Sequence, residues 1–274
     1  MLPLAILVAA VLALGGYLVQ RSLRRRRRRA ALLAGSLPPR RRARLAELVP
    51  VIDRMPPEVQ DRHEGKVRLF LDQVDFQGCN GLEVTEDMRL SIAGQACLLV
   101  AGTDRWFEDL TTVMIYPGAF RSMRPRRDGY VVTEERTTRL GESWQHGPVI
   151  LSWPDSEDGG LDPEDGHNLV LHEFAHQLDS MTGAADGIPL LARGQSFADW
   201  ERIVLAAYDD HVARVAAGQP TVIDAYGATN HQEFFAVSVE HFFERPTELR
   251  VGYPELYDQL RLLLALDPAR WPRG

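Results

Sequence analysis

His172 and His176 stand four residues apart, with Glu173 directly after the first. On a helix, positions i and i+4 share a face, so both imidazoles can reach one ion. Glu173 falls on an adjacent flank, where a carboxylate can take a proton from water polarised by that ion without binding the ion itself. Neutral imidazole donates to a dication without cancelling its charge, and that charge lowers the pKa of bound water toward about 7. The pattern predicts a zinc ion on His172 and His176, with Glu173 as the general base of a hydrolytic reaction. It sits in an apolar run at residues 168–178, where Leu169, Phe174 and Leu178 can pack toward a core.

A catalytic zinc site takes three protein ligands and leaves one position for water. Residues 230–244 (NHQEFFAVSVEHFFE) are rich in His and Glu on a strongly apolar helix. Glu233 and Glu240 are seven residues apart and share a face with Ala236 and Val237. Acids on such a face are rarely buried unless paired or metal-bound, so one of the two is expected as the third ligand. His231 and His241 compete for the same place. Asp179, three residues beyond His176, is placed to accept a hydrogen bond from a ligand imidazole.

These residues need elements to hold them. Helical patterns run over residues 45–49, 63–75, 165–181, 196–216, 230–243 and 254–266, and Thr85 caps another that leads into Met88–Val100. The β-branched runs at residues 110–116 (LTTVMIY) and 149–153 (VILSW), bounded by Pro or Gly, read as strands. Strands cluster in the middle and helices dominate the end, which is an α+β arrangement and not alternating βαβ units. Trp106 and Trp200 read as core or rim packing. Residues 183–195 form a glycine-containing loop that either borders the cleft or only connects.

The first 44 residues form a separate device. They hold eleven arginines and no acid, so with a formal net charge of −7 the remainder carries −18. An acidic body does not look like a nucleic-acid binder. Residues 2–19 are uncharged and apolar; at about 1.5 Å each they span roughly 27 Å, enough for a bilayer core. The Arg24–Arg29 run follows directly. A cleaved signal peptide carries its positive charge ahead of the apolar run, so a retained transmembrane anchor is expected over residues 1–20. Its orientation leaves the body on the cytoplasmic side of the inner membrane. Residues 21–44 then read as an arginine-rich linker and residues 45–274 as the folded domain. Cys79 and Cys97 are too few for a secreted disulfide scaffold and fit two free thiols.

Taken together, the motifs resemble the zinc-dependent peptidases typified by Mlc titration factor A. The resemblance runs from about Phe76 to Pro246. It rests on residues 89–99 (RLSIAGQACLL), 114–117 (MIYP), 147–153 (GPVILSW), 171–179 (LHEFAHQLD) and 224–237 (DAYGATNHQEFFAV). It implies a zincin-like metallopeptidase domain with an active-site helix and a small mixed sheet, similar to the catalytic domain of anthrax lethal factor. It implies His172, His176 and Glu233 as zinc ligands, Glu173 as base, and Tyr226 as a stabiliser of the transition state. The implied substrate is a peptide or protein. It also implies a transcriptional regulator as partner, and with it the alternative of a zinc-containing, repressor-titrating binding module whose hydrolase site is weak or vestigial.

Overall fold

Two helices carry the histidine motif and the acid-rich segment, and each begins at an asparagine. Asn168 has extended backbone, and its side chain accepts a hydrogen bond from the Leu171 amide, so α6 (Leu169–Ser180) starts there. The expected start at Asp165 is too early because Gly166, at φ +88°, turns the chain before the helix can form. Asn230 likewise accepts from the Glu233 amide at 3.0 Å and opens α8 (His231–Glu244). Both helices turn an apolar face inward, Val170, Phe174 and Leu178 from α6 and Phe234, Phe235 and Phe242 from α8, and they pack on each other.

In the computed structural model, residues 2–272 are described except 129–130, 140, 144–146 and 184–186. Side chains are described for residues 12–119, 147–183 and 187–272. The order along the chain is α1 (Leu2–Leu33), α2 (Pro39–Leu48), α3 (Pro57–Gln73), β1 (Asp75–Gly78), α4 (Glu86–Leu98), β2 (Thr112–Tyr116), β3 (Phe120–Asp128), β4 (Val131–Arg139), β5 (Gly141–Ser143), β6 (Val149–Ser152) and α5 (Trp153–Leu161). Then come α6, α7 (Phe197–Ala216), a 3-10 turn at Ala225–Ala228, α8, α9 (Pro246–Gly252) and α10 (Pro254–Leu264).

The fold is helix-rich α+β. One sheet has the order β1-β2-β6-β5, with β1, β2 and β6 parallel and β5 antiparallel to β6; β3 and β4 form a separate hairpin. Val113, Ile115, Val149 and Leu151 point into the core from β2 and β6. Phe174 of α6 meets Phe107 edge-on at 5.1 Å and Phe70 of α3 at 5.7 Å between ring centroids. That aromatic cluster fixes α6 against the rest of the domain. Trp106 and Trp200 are both buried in the core, and Trp106 donates to Gln73. Cys79 and Cys97 are free thiols.

The N-terminal segment differs from its expected form. Among the described residues no helix is long and apolar enough to cross a membrane, so the anchor expected over residues 1–20 is not found. The side chains of residues 1–11 lie outside the described set. The arginine-rich stretch is helical, because α1 continues unbroken to Leu33 and α2 begins at Pro39. Its end is docked on the body: Arg28 pairs with Asp72, Arg29 with Glu108, and Arg68 of α3 donates to the Leu32 carbonyl at 2.8 Å. Leu37 is buried, and its amide donates to Glu64.

Two residues of α3 make this region testable. A Cβ on Gly65 would lie 2.2 Å from the Leu33 carbonyl oxygen, so α1 closes on α3 only because Gly65 has no side chain. Gly65→Ala is expected to displace the last turn of α1 and cost about 1–3 kcal/mol in a denaturant titration. His63 is fully buried, with Nε2 2.8 Å from the Gly94 carbonyl of α4. Burial, only partly offset by that hydrogen bond, pushes its pKa down to about 4. The unfolded ring takes a proton near 6.5, so the native state binds fewer protons between those values. Stability should be full above pH 6.5 and fall by roughly 3 kcal/mol as the pH drops to about 4. Denaturant titrations across that range should show a shallower slope for His63→Leu than for the parent.

Candidate metal centre

Three donor atoms from the two helices converge. His172 Nε2 lies 3.2 Å from His176 Nε2 and 3.0 Å from Glu233 Oε2, and His176 Nε2 lies 3.4 Å from Glu233 Oε2. An ion bonded at about 2.0–2.1 Å to each, at tetrahedral angles, holds its donors about 3.3 Å apart. The three edges match that triangle. Among the described residues these three form the one group of His, Cys, Asp and Glu side chains arranged to hold a metal ion. Two imidazole nitrogens facing each other at this distance suit a shared ion better than a mutual hydrogen bond, since each must offer a lone pair.

The histidine imidazoles meet edge-on at 4.9 Å between ring centroids, as i and i+4 positions on α6 require. Glu233 reaches them from the first turn of α8. Glu240, two turns further along α8, approaches the other side of His172: its Oε1 is 2.8 Å from Nδ1. A carboxylate there accepts the Nδ1 proton and leaves the Nε2 lone pair for the metal. The second oxygen of Glu240 accepts the Asn168 amide at 2.6 Å, at the cap of α6. One side chain therefore orients the ligand ring and secures the start of the helix that carries it. Glu244, one turn on, accepts the Gly166 amide and extends the same seam.

The electrostatics follow this geometry. Burial works against a charged imidazole at His172, but the hydrogen bonds to Glu233 and Glu240 outweigh it and raise its pKa well above the ordinary value. Burial also opposes ionisation of Glu233, yet His172 and His176 hold its carboxyl far below the usual range. The cleft is built to hold positive charge between carboxylates.

The remaining candidates occupy different places. Glu173 is buried on α6, one residue along from His172, and its charge acts on that imidazole. Tyr226 stands on the 3-10 turn ahead of α8, half exposed, with its ring centroid 5.9 Å from that of His172. That turn is fixed by Asp224, which accepts the Tyr226 amide, and by Thr229, which donates to the Tyr226 carbonyl. Asp179 is fully buried, and its Oδ2 accepts the Gly187 amide, pinning the loop that follows α6. His231 packs against Tyr208 with the two rings tilted, and His241 is buried with Nδ1 on the Val237 carbonyl; neither joins the metal group. Sequence reasoning placed Glu240 on the right face as a rival ligand and missed its part as the partner of His172 Nδ1.

Helix pair, donor triangle and supported imidazole together make a place that could hold a metal ion, and comparison with known proteins gives the family. Residues 22–264 match the family described as glucose-regulated metallo-peptidase M90, and the chain belongs to that family. It is 39% identical over 272 residues to an uncharacterized protein of Synechocystis sp., covering 98% of both chains. It is also similar to proteins named Mlc titration factor A, at 33% identity for that of Escherichia fergusonii and 34% for that of Klebsiella pneumoniae (strain 342), each over 226 residues, 80% of this chain and 84% of the relative.

Removing the support without removing a ligand tests the arrangement. Glu240→Ala should weaken metal affinity about 10–100-fold, read by competition with a chelator. Glu240→Gln, which can still accept the Nδ1 proton, should lose less.

Proposed function

We propose that the chain is a zinc-dependent metallopeptidase that hydrolyses peptide bonds with Glu173 as general base. The observation that carries this reading is the donor triangle of His172, His176 and Glu233, with edges of 3.0–3.4 Å. Two imidazoles and one carboxylate in tetrahedral array suit zinc among the common divalent ions, and three protein donors leave a position open. Zinc in this place would supply a Lewis acid that polarises the scissile carbonyl and makes water acidic enough to attack. Glu173 takes the proton from the attacking water and returns it to the leaving amine nitrogen. Tyr226, at the exposed edge of the site, donates its phenolic proton as a hydrogen bond to the carbonyl oxygen as negative charge develops there. Glu240 keeps His172 in the required tautomer throughout. A zincin-like arrangement is supported by the packing of α6 against β5 and β6.

A second reading draws on the relatives named titration factors. In it the domain acts by binding a transcriptional regulator, and the metal serves mainly to lock α6 to α8.

Glu173→Gln separates the two. It preserves shape and metal ligands but cannot take a proton. Peptide hydrolysis, measured against a mixed peptide library, should fall by at least about 100-fold with the zinc content unchanged. Parental activity in a zinc-loaded Glu173→Gln protein would sink the proposed base. A parent that holds zinc yet cleaves nothing while binding a regulator would favour the second reading.

A further inference from the structure

The N-terminal half of α1 plays no part in the metal centre, and its surface has an unusual composition. Leu12, Leu14, Tyr17, Leu18, Val19 and Leu23 are all exposed, from 49% at Leu23 to 70% at Leu12. Their spacing distributes them around the helix instead of along one stripe, so no single partner face could cover them. A helix that is apolar all round needs an apolar solvent. Arg21 stands before Leu23 and Arg24–Arg27 follow it; these five have no ion-pair partner among the described residues, whereas Arg28 and Arg29 are committed to Asp72 and Glu108.

We infer that α1 enters an anionic lipid bilayer. Residues 12–19 lie among the acyl chains, and Arg21 with Arg24–Arg27 forms a collar at the phosphate level. Residues 12–19 cover about 12 Å of helix, most of the depth of one leaflet of a ~30 Å hydrocarbon core. Arginine suits the interface because its guanidinium pairs with phosphate in a bidentate fork. Apolar and basic character together support a lipid surface over a second copy: a body that carries −18 would attract the arginines, but its exposed large apolar side chains are scattered among the described residues and would not cover the leucines, whereas a bilayer takes up the leucines and its anionic headgroups attract the collar by about 1 kcal/mol per arginine. Nucleic acid would satisfy the arginines but leave the leucines in water.

The docked end of α1 gives the inference a geometric consequence. Gly65 lets the helix close on α3, and Arg68 holds the Leu32 carbonyl, so the bilayer contact and the folded body are joined through one continuous helix. The arginine collar then sets the height of the metal centre above the membrane.

The test is flotation of the full chain with vesicles of phosphatidylcholine alone and of phosphatidylcholine mixed with phosphatidylglycerol. The chain should float with the phosphatidylglycerol vesicles and less with the neutral ones, and the difference should shrink as salt rises. Changing Arg24, Arg25, Arg26 and Arg27 together to Gln should weaken the phosphatidylglycerol preference roughly ten-fold or more. Leu14→Glu with Leu18→Glu should weaken binding to both. All of these residues are exposed, and an unchanged thermal melt verifies that each variant is folded. Failure to float with either vesicle, a preference untouched by the arginine changes, or binding unaffected by the glutamates overturns the inference. Displacement of the chain from the vesicles by double-stranded DNA in preference to lipid would assign the arginines to nucleic acid instead.

Discussion

Everything in the centre of the molecule depends on how the imidazole of His172 is held. It stands between two carboxylates of one helix, Glu233 at Nε2 and Glu240 at Nδ1. A histidine that offers a lone pair to a metal must first give its other proton to something, and a buried ring cannot give it to water. Glu240 takes that proton and at the same time takes the Asn168 amide, one of the donors that α6 leaves unsatisfied at its start. The choice of tautomer and the placement of the helix are thus a single interaction. The packing around it is correspondingly dense: Phe174 is wedged among Phe70 and Phe107, and Phe234 and Phe242 fill the far side.

How much of this was legible in the chain depends on the length scale of the signal. The His172–Glu173–His176 pattern is local, and helix geometry alone brings its two imidazoles together. Glu233 and Glu240 could be put on one face by their spacing but could not be told apart, because a period of seven returns both to the same side. What distinguishes them is where α8 crosses α6, a tertiary fact. Tyr226 lies on a short 3-10 turn with no periodic pattern, so only the resemblance to a known family singled it out. Some elements were misread for chemical reasons. Trp153-Pro154 looked like the end of a strand, but proline fits the first turn of a helix and starts α5. Residues 75–78 lack alternation, so the helical pattern ran on to Asp75 and nothing marked residues 76–78, although all four form β1. The arginine block looked like a solvated linker. Arginine is a good helix former, and with Leu32, Leu33 and Gly65 to dock on, the stretch stays helical as far as Leu33.

Charge is distributed to match. The folded body is strongly acidic and the first 44 residues strongly basic, with the boundary stitched by Arg28–Asp72, Arg29–Glu108 and Arg42–Glu64. Exposed pairs of this kind contribute little individually. Arg42 with Glu64 is different in kind, because the carboxylate is buried and also accepts the Leu37 amide. It fastens the basic segment to the acidic body where the chain turns from α1 into α2.

The interval between Glu233 and Glu240 has a consequence for how such a chain can vary. Seven residues are close to two full turns, so both carboxylates arrive at opposite sides of the same ring. Inserting or deleting one residue between them would swing one carboxylate about 100° away from α6. Residues 234–239 are therefore free to change in identity as long as they stay apolar where they face the core, but their number is fixed. In this part of the sequence the geometry constrains length more strictly than letters.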